Sequence, residues 1–250
     1  SQGSASGIVE QWCQVMANSL AAAENGGYIG VAMPGPFDYS KGISQMLGMG
    51  KYDALYGLDV RELILSGLGQ LATKAVFVND ASCFLQGEIS HGPASAYRKV
   101  LGITLGTGFG SAIGIQGVAH DAAFWQYSFM GTTCEELFSS KWLVSRYNSL
   151  TNNPIHNVKQ LIETATHSGP LLQVFDEFAH NLGVFLAKMY REHELDCVVI
   201  GGNIAKAWPL FLPQLEDYLK VRSTALPILI SSKGEHAALI GAACTIECFQ

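Results

Sequence analysis

The sequence predicts an α/β protein, and three observations carry that reading. Short apolar runs recur along the chain: "YIGVAM" at 28–33, "AVFV" at 75–78, "CVVI" at 197–200 and "PILIS" at 227–231. Most are bounded by glycine, proline or asparagine, the punctuation of buried strands. Between them lie longer stretches whose apolar residues recur at helical spacing. Strands alternating with helices mean sheets with helices packed on their faces.

Composition bounds the rest. The 250 residues are 48% hydrophobic and only 14% charged, enough for one large domain or two modest lobes with a core. A net charge of −6 without a basic patch argues against a nucleic-acid partner. No apolar run reaches the roughly 18–20 residues needed to span a bilayer. The opening Ser1-Gln2-Gly3-Ser4 is polar and carries no signal-peptide pattern. Six cysteines, at 13, 83, 134, 197, 244 and 248, form no CxxC pair. They read as reduced thiols of a cytoplasmic protein with no membrane partner.

Taken in order, Ser4 or Ser6 is a candidate cap for a helix over about 8–23, with Ile8, Trp12, Val15, Met16 and Leu20 on one face. Gly26-Gly27 ends it. The strand at 28–33 stops at Pro34-Gly35-Pro36, and 37–56 reads as loop. "LDVRELILSGLGQLA" is a second helix capped by Asp59. The strand at 75–78 is followed by a helix from Ala81. "KVLGITLGTGFGSAIGIQG", 99–117, has two alternating apolar runs around a glycine-rich turn, a hairpin pattern. Residues 118–130 are irregular and aromatic, and helices are expected over 134–148, 157–165 and 170–193. The strand at 197–200 closes on Gly201-Gly202-Asn203; a helix over 205–221, a strand at 227–231 and a helix over 235–248 complete the chain. No internal repeat or low-complexity linker interrupts it.

Three places carry chemistry. The strand at 75–78 ends on Asn79-Asp80, just before a helix. Asp80 is either the helix cap or a carboxylate held up for acid–base work. The turn Gly106-Thr107-Gly108-Phe109-Gly110 is either a plain tight hairpin or an anion cradle of bare backbone N–H groups and one hydroxyl. A dinucleotide fingerprint needs a helix directly after its glycines, whereas "SAIGI" reads as strand. No GxxxxGK[ST] P-loop occurs. Gly201-Gly202-Asn203 sits where a strand becomes loop ahead of a helix, the usual ligand position of open α/β sheets.

In order and spacing, "VAMPGPFD", "VFVNDA" with "GE", "LGITLGTGFGSAI", "CEELFSS", "VVIGGNIA" and "AALIGAA" resemble the ROK family of sugar kinases and regulators, from about residue 28 to 243. The resemblance implies a two-lobed, actin/hexokinase-like fold of ribonuclease H-like halves. The first lobe would be 1–97 plus 236–250, carrying the sugar side and the catalytic Asp. The second, 98–235, would carry the nucleotide. It implies ATP-dependent phosphorylation of a hexose hydroxyl with Mg²⁺, in a homodimer. By position, Asp80 matches the family's catalytic base. Asn79, Glu136, Pro34 and Gly35 match its sugar side. Gly106, Thr107, Gly108, Gly110, Gly201 and Gly202 match its phosphate and nucleotide loops.

The chain also departs from the family pattern. No DxGGT segment precedes Ser1, and the first lobe shows only two strands where sheets usually have about four to six. The expectation is that an N-terminal segment is missing from this chain. Of the family's zinc-binding His and Cys set only Cys134 is in register, His120 stands isolated, and a structural zinc needs four ligands, so no metal site is expected. The family's GExGH segment is also absent. Sugar recognition is then altered, or supplied by aromatics such as Phe124, Trp125 and Tyr127, which read more readily as packing than as a sugar platform. Two alternatives remain: a sugar-responsive transcriptional regulator of the same family, and a sugar-binding relative without catalysis.

Overall fold

The computed structural model describes residues 3–21, 27–48, 50, 52–164 and 169–247. Helix α1 (Ala5–Leu20) starts at Ser4, whose hydroxyl accepts the Gly7 N–H at 3.2 Å. Its expected stop at Gly26 lies outside the described residues, and Gly27 already opens strand β1 (Gly27–Met33). Two short strands, β2 (Phe37–Asp38) and β3 (Ile43–Ser44), pair antiparallel within the expected loop. Asp59 caps α2 (Val60–Leu68), as its sequence suggests, accepting the Glu62 N–H at 2.9 Å. Strand β4 (Ala72–Asn79) begins earlier than expected and runs directly into α3 (Asp80–His91).

The glycine-rich hairpin forms as read, with β5 (Lys99–Leu105) antiparallel to β6 (Phe109–Ile115). Part of the supposedly irregular stretch is a third strand, β7 (Val118–Asp121), paired with β6. Gln116 at φ 52° and Gly117 at φ 90° make a two-residue turn of the hand that hairpins favour. The sequence hid it because glutamine stands where asparagine usually signals such a turn. A small hairpin, β8 (Ser128–Phe129) and β9 (Thr132–Thr133), leads into α4 (Cys134–Phe138). The single helix expected over 134–148 is broken at Ser139, which is extended at φ −97° and ψ 164°, and resumes as α5 (Ser140–Leu150). Helices α6 (Val158–Thr164) and α7 (Gly169–His193) follow, then strand β10 (Cys197–Gly201). The helix expected over 205–221 is also two pieces: a 3-10 stretch over Ile204–Leu210 and α8 (Leu212–Val221). Pro209 and Pro213 each withdraw a backbone donor around the break at Phe211. Strand β11 (Ile228–Ile230) and helix α9 (Glu235–Glu247) close the chain.

Two sheets organise these elements. One is the parallel pair β1–β4. Its core joins Ile29, Met33 and Phe77 to the apolar stripes of α1 (Ile8, Val9, Cys13) and α2 (Val60, Ile64, Leu68). The other has five strands in the order β11-β10-β5-β6-β7. An aromatic core lies against it, where Phe109, Phe138 and Phe185 are buried with Phe178, and the Phe109 and Phe185 rings meet edge-on at 5.7 Å. A further cluster, with Phe84, Leu85 and Ile89 of α3 and Ala237 of α9, packs on Val100, Ala112 and Val199 of the same sheet. Helix α3 therefore leaves the small sheet yet rests on the large one. Helices α3 and α9 touch backbone to backbone. A Cβ added to Gly241 would lie 2.7 Å from the carbonyl carbon of Cys83, and one added to Gly87 would lie 2.8 Å from that of Ala237.

Burial pushes the Cys83, Cys134 and Cys197 thiols up to about 12, which marks them as packing groups rather than nucleophiles. Among the described residues no helix is long and apolar enough to cross a membrane.

Candidate functional site

Parallel pairing puts the ends of β1 and β4 side by side, with Met33 in register with Asn79. The Pro34-Gly35-Pro36 turn, with a cis Gly35–Pro36 bond, therefore lies beside Asn79-Asp80. The question of which residue caps α3 has a definite answer. Asn79 is the cap: its Oδ1 accepts the Ala81 N–H at 3.0 Å and the Ser82 N–H at 3.1 Å. Asp80 is the first helical residue, and the reading of Asp80 as the cap is corrected. Its carboxylate is exposed, and Oδ1 takes the Ala81 N–H at 2.9 Å. A helix N-terminus is a favourable place for a negative side chain.

The first turn of α3 abuts the glycine hairpin. A Cβ added to Gly110 would lie 3.1 Å from the Cβ of Ala81, the residue after Asp80. Gly201 is covered by the Phe84 ring, 2.5 Å from where its own Cβ would stand. Gly202, at φ +89°, would bring a Cβ within 2.7 Å of the Leu105 nitrogen. The Thr104 hydroxyl across the hairpin, packing of α3 and the crowding of strand ends thus already call for glycine at 110, 201 and 202. The same contacts gather the ends of β4, β5 and β10 in one place. Gly106 and Thr107 are different: among the described residues nothing approaches the Cβ position of Gly106, and Thr107 is the exposed tip. The Gly106 carbonyl is pinned from below by the Ser140 N–H at 2.8 Å and its hydroxyl at 2.7 Å. Gly108 faces the Glu135 carboxylate, which also accepts the Phe109 N–H at 3.4 Å.

Glu136 closes a capping box on α4. Its Oε2 accepts the Thr132 hydroxyl and, at 3.1 and 3.0 Å, the Thr133 N–H and hydroxyl. These bonds, the Thr132 hydroxyl first, hold its carboxyl below the usual range. Of the aromatics, Phe124 packs edge-on against Phe185 at 5.9 Å and Tyr127 against Phe124 at 5.9 Å, while Trp125 is exposed.

Four residues of this region escaped sequence reading. Tyr39 bridges the two strand ends: its hydroxyl donates to the Met33 carbonyl at 3.1 Å and accepts from Asn79 Nδ2 at 3.2 Å. Glu135 and Ser140 border the glycine turn as described. Trp208 joins Gly201, Gly202, Ala205, Lys206, Ile230, Ser231 and Gly234 around a cavity of about 270 Å³. Among the described residues no three His, Cys, Asp or Glu side chains form a metal-holding group.

Strand ends thus converge from two sheets, with a carboxylate at one helix N-terminus, in an α/β fold that solved structures place in the actin-like class. Comparison with known proteins gives the family. The ROK family model matches residues 4–247, and the chain belongs to the ROK family. A ROK family glucokinase from Streptomyces griseus, solved with glucose and AMPPNP, superposes with a TM-score of 0.76 at 20% identity, over 98% of this chain and 88% of that one. A ROK family transcriptional regulator homologous to the MLC protein of E. coli superposes with a TM-score of 0.74 at 16% identity, over 94% of this chain and 67% of that one. An N-acetyl-D-glucosamine kinase from Mannheimia succiniciproducens is 29% identical over 115 residues, 44% of this chain and 36% of that protein. The chain thus aligns with about a third of that curated relative's length.

Proposed function

We propose that this protein transfers the γ-phosphoryl group of ATP to a hydroxyl of a hexose, with Asp80 as general base. One observation carries the reading: with Asn79 taking the cap, an exposed Asp80 stands at the N-terminus of α3, one residue from the Gly110 contact. The contact between Ala81, the residue after Asp80, and Gly110 of the hairpin supports the reading.

Asp80 accepts the proton of the sugar hydroxyl as that oxygen attacks phosphorus. General-base help of this kind is worth about 10²–10⁴-fold. Asn79 offers an amide N–H to the sugar, Glu136 its Oε1 atom, and Pro34-Gly35 shape the wall beside them. Gly106, Thr107 and Gly108 are the candidate phosphate contacts, supported by the open Cβ position at Gly106 and the exposed Thr107 hydroxyl. The cavity beside Gly201-Gly202 and Trp208 suits the nucleoside. Mg²⁺ entering with ATP would supply neutralisation of the phosphate charge beside the Gly106-Thr107-Gly108 turn. We read the two lobes as 1–97 with 236–250, and 98–235, in a cytoplasmic homodimer.

The decisive assay is ATP-dependent phosphorylation of a hexose panel including glucose, mannose, fructose and N-acetylglucosamine. Turnover of one sugar that collapses in Asp80→Asn supports the reading, and turnover indifferent to that change removes Asp80 from its role. A second reading, sugar binding without transfer, has its own observation. The Glu135 carboxylate sits on the glycine turn and takes the Phe109 N–H, placing negative charge where phosphate would bind. Sugar binding with no turnover of any panel member would favour it.

A further inference from the structure

We propose that Tyr39 is a positioning residue that locks the Asn79 amide with its nitrogen outward, making Asn79 a hydrogen-bond donor alone toward the ligand. The inference deepens the sugar-binding reading above and rests on it.

The orientation of the amide follows from its partners. Two N–H groups of α3, on Ala81 and Ser82, converge on one side of the Asn79 side chain. Both are donors, so only the oxygen can face them. The nitrogen then faces the Tyr39 hydroxyl at 3.2 Å. That hydroxyl uses its single proton on the Met33 carbonyl at 3.1 Å, leaving its lone pairs to receive the amide. Burial, with Asp80 and Asp121 nearby, pushes the Tyr39 phenol up to about 12, so it keeps this proton at neutral pH.

Tyr39 is itself held on several sides. Arg61 donates to the Tyr39 carbonyl at 3.1 Å and to the Ser40 carbonyl at 2.9 Å. The Phe37 ring lies 5.4 Å from the Tyr39 ring, and Asp38 closes the turn by accepting the Ser40 hydroxyl at 2.7 Å and the Lys41 N–H at 3.0 Å. This chain of contacts fixes the phenol, and the phenol fixes the amide.

The consequence is chemical. Asn79 Oδ1 is filled by two helix donors and one Nδ2 proton is filled by Tyr39. One N–H remains without a partner among the described residues. Asn79 can then donate one hydrogen bond to a sugar oxygen and accept none. A sugar hydroxyl bridging Asn79 and Asp80 must direct its proton at Asp80, the orientation that proton abstraction requires.

The test is Tyr39→Phe, which keeps the ring and its packing on Phe37. In ¹⁵N-labelled wild type, the two Asn79 side-chain amide protons should be well separated in shift, one of them protected from exchange. Tyr39→Phe should remove that protection. Titration with glucose and N-acetylglucosamine should show affinity reduced about 3- to 10-fold. AMPPNP affinity should be unchanged, a split that a general loss of structure would not give. An unaltered Asn79 amide spectrum in the variant, or sugar and nucleotide affinities falling together, would overturn the proposal. If wild type bound neither sugar, the proposed function would fail, and the amide spectrum would still decide the role of Tyr39.

Discussion

Asn79 is asked to do two things at once, and two substitutions separate them. Its Oδ1 holds two helix donors, so Asn79→Ala removes the cap, leaving the Ser82 N–H to water and the Ala81 N–H to Asp80 Oδ1. Such losses cost about 0.5–2 kcal/mol. For a chain of this size, about 1 kcal/mol moves the melting temperature by roughly 2–4 °C, which predicts a fall of about 1–8 °C. Asn79→Asp keeps an oxygen at the same place, and aspartate caps helices as well as asparagine does. Its melting temperature should fall by less than that of Asn79→Ala, because the cap survives and only the Tyr39 bond is lost. The aspartate, however, has no N–H for Tyr39 or for a sugar. Sugar affinity should therefore drop at least about 10-fold, as expected when a charged acceptor replaces a donor in a polar site. Differential scanning calorimetry and sugar titration on the three proteins read the two effects separately. Equal destabilisation by both substitutions would refute the capping argument. Wild-type sugar affinity in Asn79→Asp would refute the amide's role.

Two further predictions bear on the scaffold. Gly241→Ala would force a Cβ to 2.7 Å from the Cys83 carbonyl carbon, separating α3 from α9. Overpacking of this kind costs about 1–3 kcal/mol, and calorimetry showing no loss of stability would contradict the close approach. Arg146 grips Glu177 with Nε–Oε2 and Nη2–Oε1 bonds of 2.6 and 2.7 Å, tying α5 to α7. The Arg146 hydrogen bond lowers the folded Glu177 pKa from its ordinary value of 4.5. A depressed carboxylate stabilises above its unfolded pKa and loses that contribution as pH falls through the folded one. The stability gap between wild type and Glu177→Gln should be constant at neutral pH and shrink below about pH 4.5. Urea unfolding at several pH values measures it, and a gap that widens in acid would reverse the sign.

Local signals in the sequence told much of this fold. Ser4 and Asp59 cap the helices they precede, and the hairpin around Gly106–Gly110 forms as its alternation indicates. What stayed hidden depends on distant partners. Asn79 and Asp80 are comparable caps in isolation, and which one faces inward is set by the exit of β4. Tyr39 looks like a loop tyrosine until pairing of β1 with β4 brings it to an amide 40 positions away. The glycines at 110 and 201 read as ligand-binding residues, yet the Thr104 hydroxyl with Ala81, and the Phe84 ring, already explain their lack of a side chain. Glu135 resembles its neighbour Glu136 in sequence, and only the end of β9 decides which carboxylate closes the cap and which turns to the glycine loop.

The account turns on an exposed carboxylate in the first turn of a helix whose cap is the residue before it. Comparing wild type with Asp80→Asn, at saturating ATP, Mg²⁺ and the preferred sugar, tests it most directly. Turnover should fall by about 10²–10⁴-fold while calorimetric sugar affinity holds. Undiminished turnover, or affinity lost in step with turnover, would contradict it.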